Sequence, residues 1–145
     1  MRRAAISLKK KAAMTVTRVS LGAEKLVYVL VADRALKYAL GRSRIAYIGT
    51  TKKGVSRVSQ SVATRANAIL SLHGVKAFDA RIVTCKPRRH VKTWLRLERA
   101  LLVEFRGQFG ELPKCNTKGN IMTEDGVFDL FSKTRVSNIL KTLSA

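Results

Sequence analysis

The sequence predicts a small mixed fold of the α/β (α+β) class, on three observations. Two apolar runs, "EKLVYVLVA" (24–32) and "SRIAYIG" (43–49), follow one another closely. A helical periodicity comes next, then an alternating run at 77–85, then a second long helical periodicity at 89–106. The order is strand, strand, helix, strand, helix, in a chain of 145 residues, a length suited to one domain.

Each element has its own signal. Residues 24–32 are apolar on both faces, the pattern of a central strand. Residues 43–49 form the second strand. The link "DRALKYALGR" (33–42) reads as a loop or short helical turn closed at Gly41. Val55, Val58, Val62, Ala66 and Ile69 recur at helical spacing over 55–72, and Gly74 suits the stop. "AFDARIVTC" (77–85) alternates and is the third strand. Pro87 breaks the chain before the helix at 89–106, and "FGELPKCN" reads as a loop. In the tail, 125–132 is a weak helical candidate. A better helix at 134–143 sets Val136, Ile139, Leu140 and Leu143 on one face. The chain divides into a basic arm (1–23), a central domain (24–120) and a C-terminal helical extension (121–145).

Charge is the compositional outlier. There are 29 Lys+Arg against 9 Asp+Glu, a net charge of +20 and a pI near 11.0. A compact chain so charged repels itself, and the excess makes sense against a polyanion. Nucleic acid is the first such partner and an anionic membrane surface the second. The second lacks a Lys- and aromatic-rich amphipathic helix. The longest apolar run, Leu26 to Ala32, is too short to span a bilayer, and "AAISL" is too short for a secretory apolar region.

Cys85 and Cys115 form no CxxC and have no His at zinc spacing, which argues against a structural metal. A reducing, intracellular setting fits, in cytoplasm, nucleoid, nucleus or organelle; a long-range disulfide between the two stays open. The arm carries Arg2, Arg3, Lys9, Lys10, Lys11 and Arg18 and no acid. That pattern suits a nucleic-acid-binding arm. A solvated tail and a mitochondrial transit peptide share the composition.

Four positions look chemical. On the 89–106 helix, Val91, Trp94, Leu95, Leu102 and Phe105 form a stripe with Glu98 in its middle. A carboxylate on an inward face needs a cation or an ion-pair partner. Arg57 stands in the first turn of the 55–72 helix, opposite Val58, Val62 and Ile69, where a helix start and an arginine together favour phosphate. Tyr28 and Tyr47 each place a phenol in an otherwise aliphatic strand. Lys52 and Lys53 follow the second strand and can attract a nucleic-acid backbone. Taken singly, each residue has an ordinary structural explanation: an ion pair, a solvated arginine, a packed tyrosine.

Their order carries more. "VYV", then "YIG", an Arg eight residues after that Gly, "LERALLVEF" on a later helix, then "PKCN" resembles the GIY-YIG nuclease family over about residues 26 to 116. The most specific parts are "AYIGTT", the Gly49–Arg57 spacing, and a helical Glu followed by a loop Asn. Leu26-Val27-Tyr28 stands where the family has Gly-Ile-Tyr, Tyr28 and Tyr47 are 19 residues apart, and Ser61 occupies a position that commonly holds His or Tyr. The resemblance implies three antiparallel strands flanked by helices. It places Tyr28 and Tyr47 beside a scissile phosphate, Arg57 on its charge, Glu98 on one Mg²⁺ (or Mn²⁺) ion, and Asn116 as a support of the site. The implied activity is metal-dependent hydrolysis of phosphodiester bonds, most readily in DNA. The alternative is a non-catalytic nucleic-acid-binding protein on the same fold, in a ribonucleoprotein or in chromatin.

Overall fold

The computed structural model describes residues 2–12, 25–116 and 126–145. The strands are β1 (Leu26–Tyr38), β2 (Gly41–Thr51) and β3 (Phe78–Val83), and the helices are α1 (Gly54–Leu70), α2 (Thr93–Phe109) and α3 (Lys133–Ser144). The strands form one antiparallel sheet in the order β2-β1-β3. α1 packs on all three strands but meets neither α2 nor α3, while α2 and α3 pack on each other and on β1 and β2. One helix therefore covers one face of the sheet and two cover the other.

β1 is the central strand because its first seven residues are apolar on both faces. All seven, Leu26 to Ala32, are buried. It runs longer than the sequence suggests. The link 33–42 is neither loop nor helical turn: β1 continues to Tyr38, and β2 begins at Gly41. The polar residues mislead because this outer part of the hairpin is stabilised by one tyrosine rather than by an apolar run. Tyr38 is buried against Phe105 (ring centroids 5.1 Å apart, edge-on) and its hydroxyl donates to the Ile45 carbonyl at 2.6 Å. The same hydroxyl accepts from the Lys114 amide at 3.0 Å. Register shifts beyond Leu30 put a bulge between the inner and outer hairpin.

Beyond β2, the chain turns into α1 through Gly54, whose φ of 73° suits glycine. α2 starts at Thr93, later than the periodicity indicates, because Arg88–Val91 is taken up by a tight turn. Its buried arc is also rotated from the expected stripe. Trp94, Leu97, Leu101 and Phe105 are buried, Leu95 is 38% exposed, and Val91 precedes the helix. The cause is that α2 is pressed from two sides, by the sheet and by α3. Glu98 lies at the border of that arc, half-buried. Glu104 is half-buried too, near α3: it accepts from Gln108 Nε2 at 3.2 Å, which also donates to Ser137 Oγ at 2.8 Å.

Val136, Leu140 and Leu143 of α3 belong to the same hydrophobic core as the sheet. Ser43 and Ser144 hydroxyls bond at 2.7 Å, and Arg44 Nη1 reaches the Ala145 carbonyl at 3.3 Å, so the C-terminal helix is fastened to β2. The described part of 125–132, residues 126–132, is turns and bends rather than helix. Residues 2–12 have no helix or strand and are exposed, with Arg2, Arg3, Lys9, Lys10 and Lys11 all in solvent. Residue 1 and residues 13–23 of the expected arm, Arg18 included, and residues 117–125 lie outside the described residues. No helix among the described residues is long and apolar enough to cross a membrane.

Candidate functional site

The site grows from strand alternation. Tyr28 and Gly49 are paired across β1 and β2, and Leu30 and Tyr47 likewise, so the two phenols and the glycine share one face. That face is covered by α1. The rings of Tyr28 and Tyr47 stand 5.8 Å apart, tilted by 40°. Tyr28 is 3% exposed and Tyr47 is half-buried. A Cβ built on Gly49 would fall 2.8 Å from the Tyr28 hydroxyl and 2.6 Å from the Tyr47 ring. Gly49 thus serves close approach of two side chains, where the sequence suggests only a backbone turning near a ligand.

α1 contributes an arginine that the sequence does not single out. The Arg65 guanidinium lies 3.7 Å from the centroid of the Tyr47 ring. Arg57, Ser61 and Arg65 fall at i, i+4 and i+8, one stripe of α1, with Arg65 about 12 Å further along the axis than Arg57. Arg57 is exposed and its Nη1 donates to Gln60 Oε1. The structure therefore brings Arg65, rather than Arg57, onto the phenol cluster. Its i+8 spacing puts it on the Arg57 stripe, but nothing in the sequence marks it out among 29 basic residues.

Glu98 arrives from the other layer. Thr50 alternates with Gly49 and so faces α2. A hydrogen bond from the Thr50 side chain favours the ionised form of Glu98, as does the Arg99 charge. Burial outweighs both and pushes the Glu98 carboxyl above its ordinary range. Glu98 has no ion pair within 4 Å among the described residues. Its charge still registers at Tyr47, the last of five influences there. Burial comes first, then the charge of the neighbouring Tyr28, then Arg65 pulling the other way, then a hydrogen bond with Tyr28; with Glu98 they push the Tyr47 hydroxyl up to about 12.

Asn116 is placed by β2 itself. Its Oδ1 accepts from the Ile48 amide at 3.0 Å and its Nδ2 donates to the Ile48 carbonyl at 2.9 Å. The Cys115 amide donates to the Ala46 carbonyl at 2.9 Å. The 113–116 loop is thereby laid along the outer edge of β2, beside Ala46 and Ile48. Cys115 is half-buried, its thiol raised by burial and drawn back by the Arg65 charge, so it borders the same cluster. Cys85 and Cys115 are free thiols.

Lys52 and Lys53 are exposed where β2 passes into α1. The Lys53 amide donates to Thr51 Oγ1 at 3.0 Å, which fixes the backbone there and leaves both ammonium groups outward. Tyr38, the third tyrosine, has its hydroxyl committed on both sides and belongs to the core.

A divalent cation has one carboxylate here. No group of three or more His, Cys, Asp or Glu able to hold a metal occurs among the described residues. A single carboxylate nevertheless fits Mg²⁺, which keeps several waters and takes substrate oxygens for the rest. The raised carboxyl fits as well, because an under-compensated negative charge is one a cation would relieve. Compared with protein-family models, curated proteins and solved structures, the chain matches none of them.

Proposed function

We propose that the protein is a metal-dependent endonuclease of GIY-YIG type, hydrolysing phosphodiester bonds in nucleic acid, DNA foremost. One observation carries the reading. Tyr28, Tyr47, Glu98 and Asn116, drawn from four separate segments, gather around the last four residues of one strand, with Arg65 over one phenol. A packed core needs no such gathering of polar groups, and the net charge of +20 supplies attraction for the polyanion.

In this reading each residue has a task. Tyr28, its own proton first released to solvent, accepts as phenolate the proton of the attacking water. Burial and Tyr28 keep the Tyr47 hydroxyl protonated at neutral pH, so that once substrate displaces its bond with Tyr28 it donates a hydrogen bond to a phosphate oxygen. Arg65, and Arg57 on the same stripe of α1, supply positive charge that no ordinary pH removes. Asn116 holds the backbone on which Tyr47 and Gly49 sit. Glu98 would hold the divalent cation, which when bound supplies stabilisation of the leaving oxygen.

The second reading is a non-catalytic nucleic-acid-binding protein on the same fold. It is favoured by Arg57 turning to Gln60 and by Ser61 standing on the stripe between the two arginines. Incubating the purified chain with supercoiled plasmid and with branched DNA, in Mg²⁺ and in EDTA, separates the two. Nicking that needs Mg²⁺ and disappears in Glu98→Gln supports the nuclease. Tight binding without cleavage in Mg²⁺ or Mn²⁺ supports the binder.

A further inference from the structure

A second charged surface lies away from the phenol cluster. Between Asp79 and Glu98 the sequence contains no acid, while Lys86, Arg88, Arg89, Lys92 and Arg96 fall in that interval and all are exposed. The fold collects them. Arg88 and Val91 form an antiparallel bridge, with the Val91 amide donating to the Arg88 carbonyl at 3.3 Å. The turn so made has Arg89 and His90 at its tip, and His90 takes φ 63°, a left-handed conformation uncommon outside glycine. The Thr93 amide donates back to the Val91 carbonyl at 3.0 Å, tying the turn to the start of α2. Lys92, Arg96 and Arg99 then follow at i, i+4 and i+7, a file on the outer face of the helix with rises of about 6 and 4.5 Å.

We infer that the 88–91 turn and the outer face of α2 form a track for a nucleic-acid phosphate backbone that ends beside Glu98. The inference rests on the nucleic-acid part of the reading above and not on cleavage. The link to the site is on the helix itself: Arg99, the last cation of the file, is exposed and directly follows Glu98 in α2. A strand lying on the file therefore ends beside Glu98, the carboxylate that would hold the cation.

The chemistry favours nucleic acid over a lipid surface. A membrane-bound helix lays an apolar face into the headgroup region. The apolar face of α2 is already used by the sheet and α3, and Trp94 is buried at 8% exposure. What remains outward is a row of guanidinium and ammonium groups with Leu95 as its one large apolar member. Guanidinium groups pair with phosphate oxygens two at a time, and a regularly spaced row of cations suits a regularly charged polymer.

The test uses the full chain in EDTA, so that cleavage cannot enter. Affinity for a fluorescent duplex and for a single strand is measured against salt for wild type and for Arg89→Gln/Lys92→Gln/Arg96→Gln. A control, Lys37→Gln/Arg42→Gln/Lys141→Gln, removes the same charge from exposed positions on the hairpin end and α3. The track variant should keep the wild-type melting temperature, lose ~10-fold or more in affinity near 0.1 M salt, and flatten the log–log salt slope by ~2.7 on duplex, about 0.9 for each phosphate no longer neutralised. The control should move far less. Should the triple variant melt early, Arg96→Gln alone, with an expected slope change of about 0.9, replaces it. Equal losses in both triple variants would mean diffuse attraction by net charge, and an unchanged slope would mean that no phosphate is neutralised there; either overturns the track. So would stronger wild-type binding to vesicles of phosphatidylcholine with phosphatidylserine than to either nucleic acid. Absence of Mg²⁺-dependent nicking, by contrast, would sink the nuclease while leaving this result standing.

Discussion

Gly49 and Tyr28 are cross-strand partners, and the glycine leaves the space in which the Tyr28 hydroxyl lies; a Cβ at position 49 would stand 2.8 Å from that oxygen. The Tyr47 ring closes the same space at 2.6 Å. Gly49→Ala should therefore push the two phenols apart rather than disturb the strand. Overpacking of this kind costs about 1–3 kcal/mol. The check is a melting curve together with cleavage: stability should fall by that amount while activity falls further than the fraction unfolded explains. A variant of wild-type activity would show that the spacing of the tyrosines is immaterial.

The two arginines of the α1 stripe should separate in their effects. Arg65→Ala removes the cation from the Tyr47 ring and should slow cleavage by ~10²-fold or more, the scale for removing a positive charge that acts in the transition state. Arg57→Ala removes an exposed side chain bonded to Gln60 and should cost less, chiefly in binding. Single-turnover rates at saturating DNA separate the two effects, and a larger loss at Arg57 would return it to the centre of the site.

Glu98 makes a pH prediction whose sign is fixed by burial. Its carboxyl is raised in the folded state, so folding favours the protonated form. The stabilisation is complete below the ordinary glutamate range and is lost as pH rises through the folded value. At neutral pH the wild type carries the cost, so Glu98→Gln should melt at a higher temperature there. The difference should shrink as pH falls through the raised folded value and be gone below about 4. Adding Mg²⁺ should raise the wild-type melting temperature and leave the variant unmoved. A structural ion pair at Glu98 would give the opposite result at neutral pH: loss of ~3–5 kcal/mol in the variant.

Removing residues 1–20 should weaken nucleic-acid binding without unfolding the domain. Residues 2–12 are exposed and free of helix and strand, and Arg2, Arg3, Lys9, Lys10 and Lys11 are among them. Every phosphate that the arm neutralises should add about 0.9 to the salt slope on duplex DNA, so the truncated chain should show a flatter one. A slope equal to that of the full chain would remove the arm from the interface.

The parts of the fold legible in the sequence are those governed by apolar burial. Leu26 to Ala32 announce a central strand, and α1 and α3 follow their periodicity. The outer hairpin is not legible, because Tyr38 stabilises it through partners at Ile45, Phe105 and Lys114 that no local pattern connects. Glu98 sits at the border of its buried arc rather than in the middle for a related reason: a helix pressed from two sides buries an arc that a single stripe does not describe. Among site residues, Tyr28, Tyr47 and Glu98 stand near one another as the motif order suggests. Arg65 is hidden in the sequence because an arginine in a chain with 29 basic residues carries no signal until a ring is found beneath it.

The side-chain amide of Asn116 meets the Ile48 peptide as another peptide would, acceptor to N–H and donor to C=O. In effect, β2 acquires a fragment of a fourth strand one residue long. A sheet margin closed in this way offers no free rungs at Ile48 to a strand from another molecule. The opposite margin, β3, is guarded differently, by the exposed charges of Asp79 and Arg81. The protein thus protects one border of its sheet by saturation and the other by charge. Saturation sits on the border strand that carries Tyr47, so the amide that steadies the candidate chemistry also withdraws the Ile48 peptide from pairing with any incoming strand.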